Sequence, residues 1–341
     1  MEYNNSSKQV KVICLTPIKN EAWILDRFLK CASLWADHII IADQGSTDNS
    51  REIALCYPKV TLVENPSPSF NEPERRKILI DAARNIPGFH LLISLDADEC
   101  LTSNFRSSAE WQTALNAVPG TNICFHRVNL LPDMKSYWLD GKDGFNFAFG
   151  FVDDGSECVG DKIHSKRVPE PINAPMIYLR DIKVLHYQFT HWERMQSKHR
   201  WYQCWERINR SSRKSIEIYR QYHHMDALQN QVQPLPESWL SEYVAEGIDM
   251  TSIRRESIFW WDREILDWLS KYGTKTFKHE AIWDVDWSKL ASAVGSCSET
   301  SYSDPRSKFE KLIHRWLKKS QPRTTRLSVR FVEKLLSLLG W

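Results

Sequence analysis

The sequence lacks any long hydrophobic run. Its most apolar stretches, such as residues 89–95 and 335–339, are far shorter than the roughly 20 residues that a membrane-spanning helix needs. Residues 1–8 are polar, so no signal peptide is expected. None of the eight cysteines forms a C-x-x-C pair, which disfavours a zinc site and a disulfide scaffold. These absences predict a cytoplasmic protein.

The composition is that of a folded, soluble chain. Of 341 residues, 42% are hydrophobic and 26% are charged, which excludes disorder along the whole length. At roughly 150 residues per domain, the length predicts about two domains. No internal repeat is visible.

The first hundred residues alternate between strand and helix patterns. Short β-branched runs predict strands at 10–15, 38–42, 59–63 and 89–95, and helical periodicity predicts helices at 21–34, 46–56 and 73–84. Strands that alternate with helices imply a mostly parallel sheet covered on both faces. The predicted fold class is therefore α/β, with a Rossmann-like, doubly wound domain.

The second half predicts a mainly helical region. A strand at 122–129, a long loop at 131–155 and one or two strands at 177–187 lead to a helical stretch at 192–222 and a mostly helical region at 239–290. Residues 292–307 are typical of a linker. The predicted domains are 8–190, a helical extension at 191–291 and a basic tail at 306–341.

Three carboxylates follow directly on the fourth predicted strand. Asp96, Asp98 and Glu99 come after the apolar run 89–95. In open α/β sheets, ligands bind beyond the carboxyl ends of the strands. Acids placed together there repel one another unless a positive charge lies between them, and a divalent cation is one answer. The alternative is a solvated acidic turn.

The first two strands end in polar, turn-forming segments at the same predicted edge. Glu21 follows the first strand, and Asp43 follows the second. Asp43 is placed to accept hydrogen bonds from a base or ribose. The alternative for Asp43 is an Asx turn that leads into the next helix.

Three segments together resemble glycosyltransferase family 2, which has the GT-A fold: TPIKNE (16–21), ADQGSTDNS (42–50) and LISLDADE (92–99). The resemblance covers residues 10–101 well and weakens towards residue 202. His186-Tyr187 is similar to a motif of the lipopolysaccharide-core glucosyltransferases of this family. The resemblance implies a UDP- or GDP-sugar donor, Mn²⁺ or Mg²⁺, and a glycan or lipid-linked acceptor in polysaccharide or glycolipid synthesis.

The resemblance also implies roles for individual residues. Gln44 departs from the family, in which a second Asp is common at this position. The implied roles are the base and ribose pocket for Thr16, Pro17, Glu21 and Asp43, the donor diphosphate for Arg75 or Arg76, the ribose or a metal-bound water for Asp96, and the metal for Asp98 and His186.

The implied reaction is an inverting single displacement, which needs a general base on the acceptor hydroxyl. Acids between the D-x-D motif and His186 are the candidates for this base. Asp161 and Glu157 are preferred over Asp153 and Asp154, with His164 as a further possibility.

The tail is strongly basic. Residues 306–341 carry a formal charge of +8, whereas the rest of the chain carries −6. Apolar residues at helical spacing, with lysine and arginine between them, predict helices that lie on an anionic membrane surface, and thus a peripheral protein on the cytoplasmic face. The alternative is helices that dock on the body or on a partner. Nucleic-acid binding is not predicted, because no recognised motif is present.

Two other functions compete with sugar transfer. A sugar-phosphate nucleotidyltransferase would need a glycine-rich phosphate loop near the first strand, and residues 16–22 contain no glycine. A non-catalytic membrane scaffold that kept the fold is the other alternative, and the intact Asp43, Asp96 and Asp98 oppose it.

Overall fold

The computed structural model describes residues 10–139, 146–227, 232–295 and 302–341. The chain forms two compact units. The first contains the described residues up to Thr190 together with Gln233–Arg255, and the second contains those of His191–Val232 and Glu256–Trp341.

The elements alternate in the first unit and are helical in the second. In chain order they are β1 (Lys11–Ile18), α1 (Leu25–Ala32), β2 (His38–Asp43), α2 (Ser50–Leu55), β3 (Val60–Glu64), α3 (Glu72–Arg84), β4 (His90–Ser94), β5 (Glu99–Leu101), α4 (Ala109–Leu115), β6 (Asn122–Leu130), β7 (Ser136–Leu139), β8 (Asn146–Val152), β9 (Met176–His186), α5 (Trp192–Asn209), α6 (Ser215–Tyr222), β10 (Gln233–Pro234), α7 (Ser241–Ala245), α8 (Trp260–Tyr272), α9 (Trp287–Ala293), α10 (Lys308–Ser320) and α11 (Leu327–Leu338).

A mixed sheet forms the first unit. Its main path has the order β10-β7-β6-β8-β4-β1-β2-β3, and β9 joins β5 and β6. The four strands β3, β2, β1 and β4 are parallel, so their carboxyl ends meet at one edge, which we call the carboxyl edge.

Helices cover both faces of the parallel strands. Cys14 and Ile39 pack with Phe28 of α1 in one core, while Ile13 and Leu79 of α3 belong to another core. Alternate strand residues thus point to opposite faces, each buried beneath a helix. This arrangement confirms the predicted α/β class.

The predicted loop at 131–155 is wrong in part, because it contains β7 and β8. β8 runs antiparallel between β4 and β6. Its signal was the alternation of Phe147, Phe149 and Phe151, which is a strand period. Gly150 is required there, since a Cβ would lie 2.8 Å from that of Ile123. Residues 140–145 of the predicted loop lie outside the described residues.

The predicted helix at 192–222 is two helices. α5 ends at Asn209 and α6 begins at Ser215. Between them, the Arg207 guanidinium donates to the carbonyl of Arg213 and to the Ser215 hydroxyl, at 3.2 and 2.6 Å. These side-chain bonds stabilise a turn where the sequence offers two serines, which favour turns over helix interiors.

The division into units differs from the predicted domain boundaries in two respects. Residues 233–255 belong to the first unit, since β10 pairs with β7 and the Tyr243 hydroxyl donates to the Leu101 carbonyl at 3.0 Å. Residues 306–341 belong to the helical unit, because Ile313 and Leu317 pack with Ile216 of α6.

The structure bears on two features that the sequence does not predict, disulfide bonds and a membrane-spanning helix. The seven cysteines of the described residues are free thiols, and five of these are buried. In the same part of the chain, no helix combines the length and the apolar character needed to cross a membrane.

Candidate active site

The D-x-D segment is a tight turn at the carboxyl edge. The amide of Leu95 donates to the Leu15 carbonyl and so extends β4 beside β1. The Asp96 amide then donates to the Glu99 carboxylate at 3.0 Å, and the Glu99 amide to the Asp96 carbonyl at 2.9 Å. These two bonds close residues 96–99 into a turn.

Asp96 lies between two arginines. Its Oδ1 is 3.1 Å from Nη2 of Arg76, and its Oδ2 is 3.0 Å from Nη2 of Arg167. Arg76 is buried in the first turns of α3 and also donates to the Ser94 hydroxyl at 3.0 Å. Of the two arginines proposed for the diphosphate, the structure brings Arg76 to this cluster. The guanidinium of Arg75 instead lies over the Phe70 ring, at 4.9 Å.

Arg167 is the residue of this cluster that the sequence analysis missed. It holds the fully buried carboxylate of Glu99 in a two-pronged contact, with N–O distances of 2.7 and 2.9 Å, and stacks over the Phe149 ring at 4.8 Å. Burial raises the pKa of Glu99 to about 7, although Arg167 opposes that rise. The sequence feature that could have pointed to a residue such as Arg167 is the cluster of acids, because these acids require a positive charge nearby.

Asp98 faces His186 across 3.9 Å, measured from Oδ2 to Nε2. Both side chains are buried. Pairing of β9 with β5 and β6 brings His186 beside Glu99 and Asn129. The Asn129 Oδ1 lies 2.8 Å from Nδ1 of His186, and since this oxygen only accepts, Nδ1 donates. In a neutral imidazole, the lone pair then lies on Nε2, on the side of Asp98.

The donor set fits a divalent cation held partly by substrate. A carboxylate oxygen suits Mg²⁺ and Mn²⁺, and a neutral imidazole nitrogen is a common metal ligand. Within the described residues, no group of three or more His, Cys, Asp or Glu side chains has the arrangement of a metal site. Two protein ligands are sufficient where substrate phosphates and water supply the others.

The proposed base and ribose residues lie at the ends of β1 and β2, where Ile18 pairs with Asp43. Asp43 is buried, and its carboxylate accepts the Ser46 amide at 3.1 Å and pairs with Arg51 at 2.7 Å. The Asx-type turn considered for Asp43 is thus present. Thr16 and Pro17 are buried in β1, and the Glu21 carboxylate accepts from the Trp23 indole at 2.7 Å.

Asn20 joins the first two motifs to each other. Its φ is 56°, and its Oδ1 accepts the amides of Thr47 and Asp48 at 2.7 and 3.3 Å. The Asp48 carboxylate in turn accepts the Ala22 amide at 3.0 Å. The two strand-end segments therefore form one bonded unit, which gives TPIKNE and ADQGSTDNS a structural reason to occur together.

Gln44, which departs from the family, has a role that aspartate cannot fill. Its buried side-chain amide donates to the carbonyls of Ser67 and Ser69, at 3.0 and 2.9 Å. A carboxylate accepts but does not donate. Gln44 thereby fixes the connection between β3 and α3, the helix that carries Arg76.

The two proposed base residues lie in different places. Glu157 is exposed and lies 3.7 Å from Arg84, the last residue of α3, whereas Arg76 lies near the first. Eight residues of helix separate those positions by about 12 Å. Asp161 is exposed and precedes Lys162, whose carbonyl accepts the amide of Glu72 at the carboxyl-edge end of α3. His164, exposed with a φ of 58°, follows in the same segment.

A parallel α/β edge with a D-x-D turn, two arginines and a carboxylate–imidazole pair is typical of an α/β domain of the GT-A type. Residues 14–107 match the model of glycosyl transferase family 2. This match assigns the domain to the glycosyltransferases of family 2.

The chain is also similar to solved structures at low identity. Glucosyl-3-phosphoglycerate synthase from Mycobacterium tuberculosis, in complex with Mn²⁺, UDP and phosphoglyceric acid, is 18% identical over 35% of this chain and 43% of its own, with a TM-score of 0.26. The inositol-1-phosphate CTP transferase from T. maritima is 7% identical over 52% of this chain and 89% of its own, with a TM-score of 0.30.

The chain thus spans less than half the length of the mycobacterial synthase. No curated protein matches it.

Proposed function

We propose that the chain transfers a sugar from a nucleotide-sugar, a UDP- or GDP-sugar, to a hydroxyl of a glycan or lipid-linked acceptor, with inversion and with Mn²⁺ or Mg²⁺ as cofactor. The observation that carries the proposal is the placement of the Asp98–His186 pair, Arg76 and Arg167 at the carboxyl edge that also holds Asp43.

The chain's own residues supply three functions. Thr16, Pro17, Glu21 and Asp43 form the side of the site that takes the base and ribose. Arg76 and Arg167 already contact Asp96, and their guanidinium groups suit phosphate oxygens. Asp98 and His186 would hold the cation, which, when bound, neutralises charge on the leaving diphosphate.

In the reaction, the acceptor oxygen forms a bond to the anomeric carbon while the bond from that carbon to the diphosphate breaks. The hydroxyl proton passes to a carboxylate base. We propose Asp161 for this role, because it is exposed and lies in the segment that reaches the carboxyl edge. Glu157, the other candidate, pairs with Arg84 at the far end of α3.

Calorimetry with UDP, GDP, CDP and dTDP, with and without Mn²⁺, tests this function without knowledge of the acceptor. We expect one nucleotide to bind, at least tenfold more tightly with Mn²⁺ than without it. Asp98→Ala should abolish that dependence on the metal. The matched control is Asp81→Asn, which removes an exposed carboxylate of α3 that pairs with Lys77 and should bind as wild type does.

Unchanged metal-dependent binding by Asp98→Ala would contradict the assignment of the metal site. Failure of every nucleotide to bind would favour the non-catalytic scaffold. One observation supports that second function: the carboxylates of Asp43 and Asp96 are both already paired with arginine.

A further inference from the structure

The last two helices are a folded part of the helical unit, with one face buried. Ile313 and Leu317 of α10, Leu336 of α11 and Trp341 pack in one core with Tyr219 of α6. Through this face, the last two helices therefore dock on another part of the helical unit, as in the alternative to membrane binding given above. The opposite faces of the same helices have a different character.

α11 exposes a continuous apolar stripe. Its members recur at intervals of four, four, three and one residues, which places them within about 120° around a helix. The buried Val329 and Leu336 lie on the other side. The α11 stripe consists of Leu327, Phe331, Leu335, Leu338 and Leu339, with exposed fractions of 82%, 64%, 47%, 78% and 65%.

α10 also exposes large apolar side chains. Phe309 and Leu312 are 57% and 55% exposed and lie close together around that helix, three residues apart. Seven large apolar side chains are thus exposed within 31 residues. Single exposed apolar residues are ordinary, whereas the five neighbours of the α11 stripe, which share one helix face, mark an interaction surface.

The charges around this surface are of one sign. Glu310 pairs with Lys278, and Glu333 pairs with Arg220, both at 2.8 Å. The two acids of residues 306–341 are thus engaged by cations from other elements. Nine cationic residues of the same segment are exposed: Lys308, Lys311, Arg315, Lys318, Lys319, Arg323, Arg326, Arg330 and Lys334.

Exposed apolar side chains together with exposed cations favour one kind of partner over others. A second copy of the chain docked through the same face would bring two strongly positive surfaces together, which is unfavourable. A nucleic acid would pair with the cations but would leave the leucines uncovered. An anionic lipid surface satisfies both, because its phosphates attract the cations and its acyl boundary takes the apolar side chains.

We propose that the α11 stripe docks on an anionic lipid surface, such as that of a cytoplasmic leaflet. Leu327, Phe331, Leu335 and Leu338 insert below the head groups, and Arg330 and Lys334, which flank the stripe on the helix, contact lipid phosphates. The inference goes beyond sugar transfer and is independent of it, since it uses no residue of the carboxyl edge.

Sedimentation of the full chain with vesicles tests the inference. The vesicles are phosphatidylcholine alone, or phosphatidylcholine with 30% phosphatidylglycerol. We expect binding to the anionic vesicles that weakens as salt rises, and little binding to the neutral ones. Phe331→Ser/Leu335→Ser/Leu338→Ser should lower the partition coefficient at least tenfold. Arg326→Gln/Arg330→Gln/Lys334→Gln should lower it and reduce its dependence on salt.

The matched control is Leu55→Ser/Ile172→Ser, which removes two side chains of the first unit that are 69% and 93% exposed and should bind vesicles as wild type does. Circular dichroism and nucleotide affinity equal to wild type show that the stripe variant is folded, and they separate this test from that of sugar transfer. No binding to anionic vesicles at low salt, or equal binding by the stripe variant, would overturn the inference. So would a dimer in solution that the stripe variant abolishes.

Discussion

Replacement of Arg167 by methionine should destabilise the first unit by an amount that depends on pH. Arg167 contacts Glu99 at 2.7 and 2.9 Å, and the two side chains are 16% and 0% exposed. Loss of one partner of such a pair costs about 3–5 kcal/mol where the remaining group is ionised. Asp96 contributes less to the loss, because it is 35% exposed and keeps Arg76.

The sign of the pH dependence follows from Glu99. Its pKa in the fold is about 7, raised by burial above the ordinary 4.5, and Arg167 holds that rise in check. Without Arg167 the pKa of Glu99 rises further, so the folded variant binds a proton that the unfolded chain releases. The unfolding free energy of wild type already falls as pH rises from about 4.5 to 7, and that of the variant continues to fall above pH 7, because its Glu99 stays protonated there. The difference between variant and wild type should be small at pH 5 and should grow above pH 7, by about 1.4 kcal/mol per pH unit, until Glu99 of the variant ionises.

Hydrogen exchange of amides in β4 measures this free energy locally, which avoids the assumption that two units unfold together. Exchange rates are corrected for the intrinsic effect of pH. The double variant Glu99→Leu/Arg167→Met removes both charges and should recover most of the loss.

The matched control is Arg84→Met, which breaks a pair with Asp153 at 2.8 Å. Burial alone would raise the pKa of Asp153, but Arg84 holds it below the ordinary value, so the cost of Arg84→Met should stay constant from pH 5 to 8. A loss for Arg167→Met that is equally large at pH 5, or absent at pH 8, would refute the reasoning.

Two further predictions concern the loops at the carboxyl edge, with hydrogen exchange of amides in β1 and β2 as the measurement. Gln44→Asp removes two donated hydrogen bonds and brings a buried charge to two carbonyl oxygens, so it should cost about 2–4 kcal/mol. Gln44→Met should cost about half of that, and equal costs would show that the charge is irrelevant. Asn20→Ala loses two accepted bonds and places alanine at a φ of 56°, a cost of about 2–3 kcal/mol. Asn20→Gly should cost about 1 kcal/mol less, and no difference between the two would contradict a contribution from backbone conformation.

The strand ends were predictable because local pattern and topology agree there. Hydrophobic strands that alternate with helices predict a parallel sheet, and in a parallel sheet the strand ends that carry Asp43 and Asp96 lie at one edge. Pairings made by distant segments had no such local signal. Arg167 lies 68 residues beyond Glu99, in a segment without regular structure, and nothing around it distinguishes a buried arginine from a solvated one.

β8 shows a different kind of failure. Its alternating phenylalanines were visible, but neighbouring glycines and aspartates obscured the period, and an antiparallel strand inserted beside β4 is not expected from a βαβ pattern. Gln44 was noticed only as a departure from the family. Its reason became apparent once the carbonyls of Ser67 and Ser69 were placed beside it, because a single residue type gives no information about which backbone groups it will meet.

The acids after β4 required a positive charge, and the sequence analysis assigned that requirement to a metal. In the structure, two arginines supply much of that positive charge. Asp96, Asp98 and Glu99 contribute three formal negative charges, and Arg76 and Arg167 return two positive ones. One divalent cation added to three unopposed carboxylates would leave a negative site, which repels a diphosphate. Added to the cluster with its two arginines, the same cation leaves a positive site. Arg76 and Arg167 would thus make a turn of three acids compatible with the anionic donor that we propose.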